Sequence, residues 1–161
     1  MYQLIILCSI YVGTQASILD VILDKIKPKE SLCIRGKLSC NGVSPLPETV
    51  LLLSDTDRGT LDDTMAIKFV DIDGFFEICG TARDWFWGGT IDPLLEIYTK
   101  CGYAGNLQNC FRKSEYAIPQ ESVGSTYRIA NEIELTNLDS IFDCLSAGEM
   151  IKNENRFKLL S

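Results

Sequence analysis

The chain contains no histidine, so it lacks the side chain that enzymes use most often for proton transfer near neutral pH. It also has no serine in the Gly-x-Ser-x-Gly setting of α/β-hydrolases, and no imidazole base to activate a serine elsewhere. Acid–base chemistry would have to rest on carboxylates, lysines or tyrosines alone. We therefore predict no catalytic residue and no enzymatic activity.

The sequence patterns typical of metal centres, nucleic-acid sites and glycan sites are lacking as well. Without histidine, a zinc site would need cysteines alone, and no Cys-x-x-Cys pair occurs. A net charge of −7 and a pI near 4.6 argue against binding to phosphate backbones, which requires clustered lysine and arginine. No Asn-x-Ser/Thr acceptor is present. The sequence thus predicts no metal, no cofactor and no nucleic-acid partner.

Long apolar runs are absent too, because no stretch approaches the ~20 residues that a transmembrane helix needs. One shorter run, residues 4–12, lies in an N-terminal segment without charged side chains and precedes small residues at Thr14 and Ala16. This pattern is typical of a secretory signal peptide over residues 1–16, with a buried N-terminal strand or helix as the alternative. We expect a secreted, extracellular protein in which residues 17–31 form an N-terminal arm.

Six cysteines remain once Cys8 is removed with the signal peptide, and an even number in a secreted chain predicts three disulfides. The six are Cys33, Cys40, Cys79, Cys101, Cys110 and Cys144. Cys101 and Cys110 flank an eight-residue loop between two strand-like runs, so a bond between them would close a hairpin. With that bond accepted, the other four cysteines retain three possible pairings.

Seven short apolar or alternating segments predict β-strands, and turn residues separate them. They are residues 32–40, 48–54, 65–70, 75–79, 94–100, 111–118 and 127–136. Residues 71–74 have the composition of a tight hairpin turn, with Gly74 where a positive φ is needed. Asp139 is expected to cap a short helix that runs to residue 145, and residues 146–161 form a C-terminal tail. No long helices alternate with the strands, so the sequence favours an all-β sandwich over residues 32–145.

Two connecting loops contain the candidate binding residues. Trp85, Phe86 and Trp87 are consecutive large aromatics that cannot all face one side of a strand, and they would supply contact area for a protein, a lipid or a small apolar ligand. The alternative is that these rings cap one end of the sandwich. The acidic loop at residues 55–63 offers oxygen ligands for Ca²⁺, but it lacks the EF-hand spacing, so a solvated turn is the favoured interpretation.

Four sequence blocks occur along the chain in a characteristic order. They are Arg-Gly-Lys-Leu-Ser-Cys-Asn-Gly at 35–42, Asp-Ile-Asp-Gly-Phe-Phe-Glu at 71–77, Ile-Asp-Pro-Leu-Leu-Glu-Ile-Tyr at 91–98 followed by Cys101, and Cys-Phe-Arg-Lys at 110–113 followed by Ile118-Pro119. In this order, the blocks resemble the nematode transthyretin-like family. The resemblance implies a transthyretin-like, or prealbumin-like, β-sandwich of about seven strands, with Cys101 bonded to Cys110 and Cys40 bonded to Cys144. Cys33 and Cys79 are then left over, and by elimination we expect them to form the third disulfide.

The resemblance also bears on function. Enzymatic relatives on the same fold, the hydroxyisourate hydrolases, depend on active-site histidines that this chain lacks. We therefore predict a non-enzymatic binding protein that engages a cell-surface, lipid or protein partner through loops of the sandwich. The alternative is an extracellular carrier that holds a small hydrophobic ligand at an oligomer interface, which a strictly monomeric protein would exclude.

Overall fold

The computed structural model describes residues 29–45, 48–56, 62–83, 90–105 and 110–144. These residues form nine strands: β1 (Glu30–Ser39), β2 (Val50–Asp55), β3 (Asp63–Phe69), β4 (Phe75–Ala82), β5 (Pro93–Thr99), β6 (Phe111–Ala117), β7 (Thr126–Arg128), β8 (Ile133–Glu134) and β9 (Ile141–Asp143). Two short 3₁₀ helices are at Gln120–Ser122 and Leu135–Asn137. The first six strands lie where the sequence predicted them. The predicted signal peptide, nearly all of the N-terminal arm and the C-terminal tail lie outside the described residues.

The strands form two sheets that face each other across one core. In the four-stranded sheet, β4, β1 and β7 lie side by side, and β8 pairs with the far end of β1. The order in the five-stranded sheet is β3-β2-β5-β6-β9, with every neighbouring pair antiparallel. The predicted all-β sandwich is confirmed. None of the helices in this part of the chain is long and apolar enough to cross a membrane.

Along each strand every second side chain points towards the other sheet, and these inward-facing residues form the core. On β1, Ile34 and Leu38 are fully buried whereas Arg35 between them is exposed. Gly36 faces the ring of Phe76 on β4, and a side-chain carbon added at this glycine would lie only 2.8 Å from that ring. The close approach explains why a glycine follows Arg35 in the middle of a strand.

Residues 71–74 form the predicted turn but not the predicted hairpin. Gly74 has a φ of 84°, and its N–H donates to the Asp71 carbonyl at 2.9 Å, so the expected positive φ is confirmed. β3 and β4 nevertheless belong to different sheets. The turn carries the chain across the edge of the sandwich, because β3 takes β2 as its ladder partner and β4 takes β1.

The C-terminal part of the fold differs from expectation in two places. The strand predicted over residues 127–136 is interrupted: β7 and β8 both pair in parallel with β1, and the residues between them leave the sheet. The helix expected from Asp139 is wrong, because Ile141–Asp143 forms β9 against β6. An extended chain here satisfies backbone groups along β6 that a helix would leave at an open sheet edge.

The disulfides differ from the pattern that the resemblance implies. Cys33 and Cys79 lie directly opposite each other on β1 and β4 and are bonded, in agreement with the assignment by elimination. The pairings of Cys101 with Cys110 and of Cys40 with Cys144 are wrong. In the structure, Cys40 is bonded to Cys101, and Cys110 is bonded to Cys144.

The β5–β6 hairpin exists, but its two cysteines face other neighbours. Cys101 is 1% exposed and lies in the core, where it reaches Cys40 at the end of β1. Cys110 precedes β6 where that strand pairs with β9, so Cys144 stands opposite it, with their Cα atoms 3.9 Å apart. One bond therefore joins the two sheets, and the other holds β9 against β6.

Candidate functional site

Both loops that the sequence singles out leave the sandwich at the same end. The acidic loop connects the end of β2 to the start of β3, and the aromatic loop connects the end of β4 to the start of β5. β2 runs antiparallel to β5 with Asp55 opposite Pro93, so the base of one loop lies against the base of the other. We call this end of the molecule the Asp55 end.

The tips of these two loops lie outside the described residues. This holds for Trp85, Phe86 and Trp87 and for residues 57–61. The structure therefore defines where the loops begin and end, while the contact role of the three aromatics stays a prediction.

Three hydrogen bonds join the bases of the two loops. The buried Asp55 carboxylate accepts from the backbone N–H of Asp92 at 2.7 Å. In return, the N–H and the hydroxyl of Thr56 both donate to the Asp92 carbonyl, each at 3.0 Å. A bond to a charged acceptor contributes about 1.5–3 kcal/mol, so these contacts set the relative position of the two loop bases. Sequence reasoning assigned Asp55 to a solvated loop and missed this role.

Two further side chains brace the return of the aromatic loop. The Glu30 carboxylate, at the start of β1, accepts from the N–H of the fully buried Ile91 at 2.8 Å. The Gln120 amide donates to the Thr90 hydroxyl at 2.6 Å and to the Asp92 carboxylate at 3.0 Å. Contacts from both sheets therefore hold the base of the aromatic loop.

The calcium alternative for the acidic loop stays untested, because Asp57 lies outside the described residues. Asp55 is buried and binds a backbone N–H, while Asp62 and Asp63 are exposed. One cluster with metal-binding spacing does occur among the described residues, formed by Cys33, Glu77 and Cys79. Its two sulfurs are joined in a disulfide, so they are not thiolate ligands and Glu77 is the only charged donor.

At the opposite end, which we call the Cys40 end, Glu134 holds the turn at Asn41 and Gly42 in place. The sequence predicted this turn but gave Glu134 no part in it. Asn41 and Gly42 both have positive φ, and their N–H groups donate to the Glu134 carboxylate at 2.8 and 2.9 Å. Thr136 adds its hydroxyl at 2.7 Å, and Ser39 adds its hydroxyl at 3.1 Å. The Thr136 hydroxyl and the N–H groups of the turn lower the pKa of Glu134 to about 2.

An open groove of about 590 Å³ lies between the outer surface of β1 and β4 and the loop after β7. Charges on its rim compensate one another, since Arg35 pairs with Glu77 at 2.6 Å and Lys37 pairs with Glu132 at 2.7 Å. Its lining among the described residues contains no serine, threonine, cysteine or tyrosine. The groove therefore offers a polar contact surface without a hydroxyl or thiol nucleophile.

The outer face of the five-stranded sheet is apolar. Val50, Tyr98 and Phe111 form a cluster that is separate from the core, and Leu52, Ile67 and Phe69 pack against it. The three central residues are each no more than 3% exposed, although they point away from the other sheet. Lys100 lies over the ring of Phe111, with its ammonium 4.3 Å from the ring centroid.

An ion pair is part of this same face. The Lys113 ammonium binds the Glu96 carboxylate, which also accepts from the Tyr98 hydroxyl at 3.2 Å. Burial, and then the charge of Glu96, raises the pKa of Tyr98. Burial alone would lower the pKa of Lys113, but the hydrogen bond and charge of Glu96 outweigh it and the pKa is raised. The carboxylate of Glu96 therefore favours the charged form of the Lys113 ammonium on this face.

Comparisons with known proteins found both a matching family model and a similar curated protein. The sequence matches the model of the transthyretin-like family over residues 35–119. It is 35% identical over 124 residues to Transthyretin-like protein 5 of Caenorhabditis elegans, a match that covers 72% of this chain and 85% of that protein. Among solved structures, it is similar to a 9R-lipoxygenase from Cyanothece PCC8801, with 21% identity over 63% of this chain and 16% of that chain. The TM-score of that similarity is 0.35.

Proposed function

Since the chain belongs to the transthyretin-like family, we propose that it is a secreted, non-enzymatic binding protein that engages a partner through the loops at its Asp55 end. The partner is a cell-surface component, either a protein or a lipid. Three disulfides among the described residues support secretion, because such bonds persist in oxidising compartments.

One observation carries the proposal: the hydrogen bonds that tie the base of the acidic loop to the base of the aromatic loop. Asp55, Thr56 and Asp92 fix where each loop leaves the sheet. A contact surface held in place by a rigid scaffold loses less conformational entropy on binding than a free loop does. Trp85, Phe86 and Trp87 are the residues proposed to make the contact, because aromatics supply large contact areas with few rotatable bonds.

The test removes the aromatic side chains and compares the result with a matched change at the other end. The variant Trp85→Ser/Trp87→Ser is assayed for binding to liposomes and to cell membranes, with thermal unfolding measured in parallel. The control, Ile72→Ser/Phe75→Ser, removes two exposed apolar residues near the Cys40 end. We expect binding to fall about tenfold or more in the first variant only, with Tm unchanged. Equal binding by both variants would refute the loop contact, and a fall in Tm with loss of binding would indicate that the rings cap the sandwich.

The apolar outer face of the five-stranded sheet favours a second candidate, an extracellular carrier of a small hydrophobic ligand at an oligomer interface. Leu52, Ile67 and Phe69, which are only partly buried on this face, would line such an interface. A carrier of this kind requires self-association through the face. Size-exclusion chromatography with light scattering tests this directly: a stable oligomer supports the carrier, and a strict monomer excludes it.

A further inference from the structure

The turn at Asn41 and Gly42 contains the only Asn-Gly dipeptide of the chain. An asparagine before a glycine is prone to deamidation, because no side chain shields the glycine nitrogen from the asparagine amide. Asn41 is exposed. Apart from its chain neighbours, no described residue lies within 4 Å of the position that a side chain at Gly42 would take. The dipeptide is therefore accessible, and its chemical stability depends on what holds its backbone.

Deamidation at this dipeptide requires one movement of the backbone and the loss of one proton. The Gly42 nitrogen bonds to Cγ of Asn41 while the bond from Cγ to Nδ2 breaks, and ammonia leaves with the hydrogen that Gly42 carried. Water then opens the cyclic imide at one of its two carbonyls and gives aspartate or isoaspartate at position 41. Ring closure needs rotation about the Cα–C bond of Asn41, because this rotation carries the Gly42 nitrogen to the side chain.

A single carboxylate opposes that rotation. Glu134 Oε1 accepts from the N–H of Asn41 at 2.8 Å, and Glu134 Oε2 accepts from the N–H of Gly42 at 2.9 Å. The two donors lie on either side of the rotating bond, so both hydrogen bonds persist only while this bond keeps its angle. The Cys40 N–H closes the turn by donating to the Val43 carbonyl at 2.7 Å. Ring closure therefore breaks at least one hydrogen bond to a charged acceptor.

The charge of Glu134 is a second obstacle to the reaction. The attacking nitrogen reacts after it has lost its proton, and the anion would then face the carboxylate at hydrogen-bond distance. A like charge so close disfavours the anionic form. The hydroxyls of Thr136 and Ser39 fix the carboxylate at 2.7 and 3.1 Å. The side-chain amide of Asn41 is held weakly, through a 3.9 Å contact with the Cys40 sulfur.

We propose that Asn41 is a deamidation site and that the Glu134 carboxylate holds its modification back while the chain is folded. Once the imide forms, Gly42 has no N–H and its hydrogen bond to Glu134 is lost. The product places a new carboxylate, or an extra backbone carbon, in the turn beside Glu134. Modification therefore loosens the turn that follows the Cys40–Cys101 bond between the two sheets. The site is distinct from the loops at the Asp55 end and does not depend on their binding role.

Peptide mass spectrometry of the folded chain, incubated at mildly alkaline pH, measures the conversion of the Asn41 amide to an acid. Glu134→Gln is compared with Glu132→Gln, because Glu132 lies in the same segment but pairs with Lys37 and not with the turn. Glutamine has one acceptor oxygen where glutamate has two, so the two separate bonds to the turn cannot both remain.

We expect the conversion at Asn41 to become about tenfold faster or more in Glu134→Gln, which corresponds to the loss of one hydrogen bond to a charged group. Glu132→Gln should convert at the parental rate. Equal rates in the parent and in both variants would overturn the proposal, and so would equal acceleration by the two variants.

Two further comparisons separate the carboxylate from a general loss of stability. Phe111→Ala removes a buried ring from the other sheet, away from the turn, and should convert Asn41 at the parental rate under conditions where thermal unfolding shows it to be folded. Acceleration equal to that of Glu134→Gln would show that unfolding sets the rate.

If Glu134→Gln does not fold, the native parent is compared with the same chain reduced and unfolded in urea. Because the Asn41 side chain is exposed, slower conversion in the native chain must come from the hold on its backbone. We expect the native chain to convert at least about tenfold more slowly. Equal rates would contradict the proposal.

Discussion

The outer faces of the two sheets differ in their exposure to water, although the strands of both sheets alternate inward-facing and outward-facing residues. On the four-stranded sheet, the outer face bears Arg35 and Glu77, whose side chains are 46% and 43% exposed. On the five-stranded sheet, the corresponding pair of Lys113 and Glu96 is 18% and 9% exposed. The first face meets water and the second is an interior. An alternating pattern therefore locates a strand, while the residue types on its second face show whether that face is covered.

The largest expected difference concerns one phenylalanine on each outer face. Phe111→Ala should cost about 4 kcal/mol of unfolding free energy, because a buried ring leaves a cavity when it is removed. Phe75→Ala should cost less than about 1 kcal/mol, because Phe75 is 54% exposed. Urea denaturation of the two variants measures both values. Equal losses would remove the distinction between the faces.

The ion pair on the covered face should be the next most sensitive element. Glu96→Ala should cost about 3 kcal/mol, because the Lys113 ammonium loses its buried partner and keeps only the exposed Glu115 carboxylate, at 3.2 Å. The double variant Glu96→Leu/Lys113→Met should recover much of that loss, since it removes both charges. Denaturation curves of the single and double variants decide the matter, and a double variant as unstable as the single one would contradict burial of the pair.

Glu134, at the Cys40 end of the four-stranded sheet, is the next residue expected to affect stability. Glu134→Gln should cost about 2 kcal/mol near neutral pH, because the charged acceptor of several hydrogen bonds is lost. The folded pKa of about 2 lies below the ordinary value of 4.5, so this stabilisation is present above about pH 4.5 and is lost as the pH falls towards 2. Stability measured against pH should therefore fall more steeply in this window for the parent than for the variant; parallel curves would be inconsistent with the lowered pKa.

The smallest effect is expected for the exposed ion pair. Arg35→Ala should change the unfolding free energy by no more than about 0.5 kcal/mol, because water replaces the contact with Glu77. Denaturation at low and high salt provides the check. A loss comparable to that of Glu96→Ala would show that the outer face of the four-stranded sheet is also shielded.

Alternation and turn residues were sufficient to predict the fold class and the first six strands. They could not specify which strands share a sheet, because a tight turn such as residues 71–74 serves either a hairpin or a crossing between sheets. The same limit explains the disulfides. Cys101 and Cys110 are near each other in sequence and in the hairpin, but pairing depends on which face each side chain takes and on what lies opposite.

The candidate site was predicted in part. Sequence reasoning singled out the two loops at the Asp55 end. It missed the hydrogen bonds of Asp55 with Asp92 and of Gln120 with Thr90, because the two residues of each pair are distant in the chain. Glu134 was missed for the same reason, although a signal was present: a turn with two positive-φ residues, Asn41 and Gly42, presents N–H groups that need an acceptor. The unbroken apolar run of β2 was a signal that this strand is buried on both faces.

Hydroxyl-radical footprinting of the native, disulfide-bonded chain, read out by mass spectrometry, tests the difference between the two faces most directly. Rates at Tyr98 and Phe111 are compared with the rate at Phe75, each divided by the rate of the same residue in the unfolded chain. We expect strong protection of Tyr98 and Phe111 and rapid modification of Phe75. Comparable normalised rates at all three positions would show that the five-stranded sheet is open to water and would contradict the account.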